Sequence, residues 1–226
     1  MNSIPPLTMK LLWAAVASFL VSMLPWSVLA HLVLWPIGGM GGDIDGGVLG
    51  FLGDFMPWQL ATHLLVNPGT KMIFVALTLY FFGGMMLEAI WGSRRYGLFL
   101  LACAAGSTLL QFIVSSVAFN VGLGGYSPTY GADGVMYGIL FACAYLDPQQ
   151  KVMLILPPIP VRMQTLVIVL CTLNFGVGLW SAGLLSQFGF LGGLLAAWLH
   201  IRYWRGQPPF GKNNRKKPPP RFRIVN

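Results

Sequence analysis

Six apolar stretches, at residues 11–34, 58–86, 96–118, 133–147, 163–181 and 186–204, are separated by glycine-, proline- or charge-bearing segments. A helix needs about 20 apolar residues to cross a hydrocarbon core of about 30 Å. The pattern therefore predicts an all-α membrane protein with six transmembrane helices. The fourth stretch is shorter than the rest. Asp133 to Leu146 gives only about 21 Å of helix at 1.5 Å per residue. Its head is expected to start below the outer surface, in a recess filled by the preceding loop and by water, because non-helical backbone at that depth needs protein or a wet cavity around it. The loop, residues 119–132, is uncharged and rich in glycine and turn formers. An acid at membrane depth costs about 2.5–3.5 kcal/mol. At a helix N-terminus Asp133 is expected to recover part of that cost from free amides and the macrodipole. The first loop, residues 35–57, carries the apolar pairs Val48-Leu49 and Phe51-Leu52, which fit either an interfacial segment or a plain connector.

Composition agrees with this pattern: 56% of the 226 residues are hydrophobic and 9% charged, against roughly a quarter charged in soluble domains. The first stretch lacks a convincing cleavage site and reads as a retained helix. The net charge of +8 marks topology rather than nucleic acid. Lys10 precedes the first span, Arg94 and Arg95 follow the second, Lys151 and Arg162 follow the fourth, and eight cations from Arg202 onward follow the sixth. By the positive-inside rule both termini are expected in the cytoplasm, with Lys71 the one cation off that side. A plasma or inner membrane is the expected location. Residues 1–204 then form the membrane domain, and 205–226 a basic, proline-rich tail that either stays disordered or meets anionic lipid headgroups. Cys103, Cys143 and Cys171 lie inside apolar stretches and read as small buried hydrophobes.

Several spaced segments carry a family likeness. They are Pro57-Trp58-Gln59-Leu60-Ala61-Thr62, Gly84-Met85-Met86-Leu87-Glu88 followed by Trp91-Gly92-Ser93-Arg94-Arg95, Gly131-Ala132-Asp133-Gly134-Val135-Met136-Tyr137-Gly138, and Phe190-Leu191-Gly192-Gly193-Leu194-Leu195-Ala196-Ala197. From about residue 9 to 204 the chain resembles the rhomboid intramembrane serine proteases. The resemblance implies a six-helix rhomboid-like fold with a short, recessed fourth helix. It also implies a serine nucleophile on the fourth helix and a histidine base on the sixth, paired as nucleophilic catalysis requires. The matching positions hold Asp133 and Phe190. Those matching the family's oxyanion donors hold Met72 and Ala76, and Gln59 stands where the family has arginine.

With all four polar positions changed, no catalytic residue is expected. A carboxylate attacks amides poorly, and aspartic proteolysis needs two acids sharing a proton. Ser127 or Thr129 with His63 has no supporting spacing, and His200 lies about 15 Å along the helix from Phe190. No metal signature and no cofactor motif is present. Tyr137 matches an aromatic that in the family stacks on the base, so an aromatic pair with Phe190 is expected. Gly134, Gly138, Gly189, Gly193 and Ala197 form small-residue faces for close helix packing. His63 and Lys71 are candidate partners for Asp133, Gly131 shapes the approach to it, and His31 reads as interfacial. The expectation is an inactive rhomboid-like protein whose partners are membrane lipids and the transmembrane helices of client membrane proteins, not nucleic acid. The alternatives are an active intramembrane endopeptidase using non-standard residues, or a protein binding an ion or small molecule at Asp133.

Overall fold

The computed structural model describes residues 5–37, 55–67, 69–123, 128–153, 160–182 and 184–204. The basic tail, the apolar pairs of the first loop and Ser127 lie outside these residues. Helix α1 (Pro6–Ser22) opens with proline at its first position, where the missing N–H would have no helical partner anyway. Its remaining free amides are met from far along the chain. The Glu88 carboxylate accepts bonds from Leu7 N at 3.0 Å, Thr8 N at 2.8 Å and Thr8 Oγ1 at 2.6 Å. Ser93 Oγ donates to the same carboxylate at 2.6 Å.

The first predicted span, 11–34, is not one helix. α1 ends at Ser22, and Pro25 is the extended residue before a single turn, α2 (Trp26–Leu29), because proline cannot continue a helical ladder. Beyond it Leu34 and Thr129 exchange backbone bonds of 2.9 and 2.8 Å. The second predicted span, 58–86, is likewise broken. α3 (Gln59–Thr62) and a 3₁₀ turn (His63–Leu65) precede α4 (Thr70–Leu77). Gly69, following Pro68 in the sequence, has φ +61°, a conformation that suits glycine. α4 runs on into a π-helical stretch (Thr78–Glu88) and a last turn, α5 (Ala89–Trp91).

α6 (Ser93–Asn120) is the longest helix and takes in residues 119 and 120, which were expected to begin the loop. α7 (Asp133–Leu146) begins where the fourth predicted span, 133–147, begins and ends one residue before it. A small antiparallel hairpin, β1 (Lys151–Met153) with β2 (Pro160–Arg162), pairs Lys151 with Arg162 and departs from a purely helical fold. α8 (Met163–Ala182), a 3₁₀ turn (Leu184–Gln187) and α9 (Phe188–Trp204) complete the described elements. Among the described residues, four helical segments are long and apolar enough to cross a membrane: Lys71–Trp91, Ser93–Asn120, Met163–Trp180 and Leu184–Tyr203. Pro6–Ser22 and Asp133–Leu146 are shorter apolar helices. Large apolar side chains such as Trp13, Leu101, Leu173 and Trp180 point outward, as lipid-facing residues do.

α6, α7 and α9 meet through glycine. A Cβ at Gly106 would stand 2.9 Å from Gly192 O and press on Ala196; one at Gly134 would stand 2.6 Å from Gly189 O; one at Gly193 would overlap the Gly134 backbone. Backbone cannot yield as a side-chain tip can. Gly193→Val is therefore expected to lower stability by about 3 kcal/mol or more, and Gly193→Ala by less. Unfolding of the purified protein in mild detergent measures this, and an unchanged midpoint for valine would refute the close approach.

Candidate functional site: the head of helix α7

The chain enters α7 through backbone held from two directions. Gly131, at φ +113°, donates its N–H to His63 O at 3.0 Å, and Ala132 N donates to Asn67 Oδ1 at 3.0 Å. Asn67 is itself buried and fixed, its Nδ2 donating to Leu64 O at 2.7 Å and Ser18 Oγ at 3.1 Å. One amide side chain thus joins α1, the turn before α4 and the head of α7.

Asp133 is the first residue of α7, and Ala132 occupies the N-cap with no side-chain capping bond. The expected capping by Asp133 is not made. Its carboxylate instead pairs with Lys71 Nζ at 2.8 Å, with side-chain exposures of 29% and 46%. The dipole contribution of a first-turn acid remains. Of the two candidate partners, Lys71 reaches Asp133. His63 is turned elsewhere: Nδ1 donates to Gln59 O at 2.9 Å, leaving Nε2 to accept from Thr108 Oγ1 at 3.4 Å. That tautomer satisfies both nitrogens of a neutral ring.

One turn below, Tyr137 meets Phe190 edge-to-face, with ring centroids 4.9 Å apart and planes at 90°. Both rings are buried, and the T-shaped geometry is one that aromatic quadrupoles favour. The expected aromatic pair is therefore present. Met72 and Ala76 are half-buried on α4, beside the lysine that does reach the aspartate. Thr129 takes part in a different network: its Oγ1 accepts from Gln111 Nε2 at 3.3 Å. Gln111 also donates to Leu185 O at 3.1 Å and accepts from Gly189 N at 2.7 Å, which satisfies a free amide in the first turn of α9. His31 is exposed in the turn after α2, and its carbonyl accepts from Trp58 Nε1 at 3.1 Å.

Gln111 and Asn67 were not singled out from the sequence. A signal was present for Gln111: Ser107, Thr108 and Gln111 recur at helical spacing inside an otherwise apolar helix. Asn67 lies in a turn, where periodicity gives no such cue. Among the described residues no group of three or more His, Cys, Asp or Glu side chains could hold a metal ion.

A family described as eukaryotic integral membrane protein (DUF1751) matches residues 48–224. The chain belongs to this family. A comparison with curated proteins finds no match. As a DUF1751 member the chain is an integral membrane protein, and its long apolar helices have the bilayer as their surroundings. Lys71 opens one of the helical segments long and apolar enough to cross a membrane, and Asp133 opens a shorter apolar helix. In that setting a charged residue ordinarily faces protein and pairs with its opposite.

Proposed function

We propose that this protein is a catalytically inactive, rhomboid-like member of DUF1751 that binds transmembrane segments of other membrane proteins without cutting them. The observation that carries the reading is the occupancy of the two positions where the resemblance calls for a nucleophile and a base. Asp133 is tied to Lys71, and Phe190 is packed on Tyr137. A rhomboid-like six-helix arrangement is supported by the short α7 set between longer helices and by the glycine contacts to α9. Cytoplasmic termini are supported by the cations, all but Lys71 of which fall on one side of that arrangement.

The test reconstitutes the full chain with helical substrates in liposomes. No cleavage is expected from the natural sequence, and cleavage that Asp133→Ala abolishes would overturn the reading. In the same preparation, Asp133→Ser combined with Phe190→His is expected to give labelling by a fluorophosphonate, whereas either change alone stays silent. Neither single variant completes the pair that activates serine.

A further inference from the structure

We propose that a fissure between α1, α4, α6 and α7 binds one aminophospholipid, its acyl chain inside and its headgroup on the Lys71–Asp133 pair. The fissure encloses a cavity of about 210 Å³. Small residues make it hollow: Ala14 and Ala15 on α1 and Ala104 on α6 stand where larger side chains would close the gap. Its lining is almost wholly apolar, and the polar groups lie at one end, Ser18 and Asn67, next to Ala132. At the other end are Leu79 and Ile139. From Ala132 to Ile139 the depth is about 10 Å along α7.

Shape and chemistry select the occupant. An almost wholly apolar lining offers water few hydrogen-bond partners and favours an apolar guest. A transmembrane helix, about 10–12 Å across with its side chains, is too wide for it. Part of an acyl chain fits that depth, and Leu101, which lines the fissure, is also exposed on the outer surface.

Charge lies just beyond the lining: a Cβ on Gly131 would stand 3.7 Å from Oδ1 of the lining residue Asn67, 3.7 Å from Lys71 Nζ and 3.6 Å from Asp133 Oδ2. Lys71 has three donors and gives one to Asp133 Oδ2. Among the described residues no other bond reaches the pair. A phosphate meets the remaining Lys71 donors, and a primary ammonium donates to the aspartate. Phosphatidylethanolamine presents both groups. Phosphatidylcholine has no N–H to donate, and phosphatidylglycerol has no cation for Asp133.

The experiment incubates the delipidated full chain with equal amounts of the three lipids, matched in acyl chains, and counts retained lipid by native mass spectrometry. One phosphatidylethanolamine per protein is expected, at about fivefold preference over phosphatidylcholine. Asp133→Asn is expected to bring the two to near parity while one lipid is still held. Ala104→Phe, and independently Ala14→Leu on the exposed face of α1, are expected to lower retention of all three. Equal retention of the three lipids by the natural chain, or unchanged retention in the folded Ala14→Leu protein, overturns the proposal.

Discussion

Replacing Glu88 by alanine is expected to destabilise the protein by about 3–5 kcal/mol, the largest effect of any single side-chain truncation considered. Glu88 is 3% exposed, and its two oxygens accept four bonds, from Leu7, Thr8 and Ser93. Truncation leaves two α1 backbone amides and two hydroxyls facing an apolar gap, and each unmet buried group costs about 1–3 kcal/mol. The loss is tempered where the first turn can reach water. Glu88→Gln keeps one acceptor oxygen and is expected to lose less. Detergent-titrated unfolding of the purified protein compares the two, and equal midpoints for natural, Gln and Ala chains would show that α1 is anchored by packing alone.

The second large effect concerns charge at the head of α7. Lys71→Met and Asp133→Asn are each expected to cost about 1–3 kcal/mol, since each leaves the opposite charge without its partner at the head of α7. The double variant strands neither, so its loss is expected to fall short of the sum by about 1–2 kcal/mol. Two exposed surface partners would couple by less than about 1 kcal/mol. Strict additivity in the cycle would mean that the pair is solvated and contributes nothing to holding α4 against α7.

Much of this was legible in the sequence, for identifiable reasons. The bounds of α7 followed from Asp133 and from the residues that end it, because an apolar run delimited by acids at 133 and 147 has few other readings. The aromatic pair of Tyr137 and Phe190 followed from the family resemblance, in which an aromatic at the matching position stacks on the base. The breaks in the first two spans were misjudged because hydropathy averages over Pro25 and Pro68-Gly69, which remove or redirect backbone bonds without making a window polar. The hairpin between α7 and α8 is too short to give a periodic signal. The N-terminal anchor of α1 was hidden for a different reason. Glu88 stands inside a motif, but nothing local indicates that its partners lie about eighty residues earlier. Lys71 stood out as the cation on the wrong side of the charge pattern, and its bond to Asp133 accounts for that exception.

The backbone bonds at the head of α7 have a consequence for exchangeability. Residues 129, 131 and 132 are fastened through main-chain groups to Leu34, His63 and Asn67, and residue 133 makes no capping bond. The place where α7 begins is therefore dictated by its neighbours and not by the side chain that stands there. Position 133 behaves as a socket: the fold delivers a side chain to the top of a short helix, and its identity decides the pairing with Lys71 rather than where the helix starts. A change of residue at that point can alter the chemistry at the head of α7 without first having to rebuild the backbone that positions it.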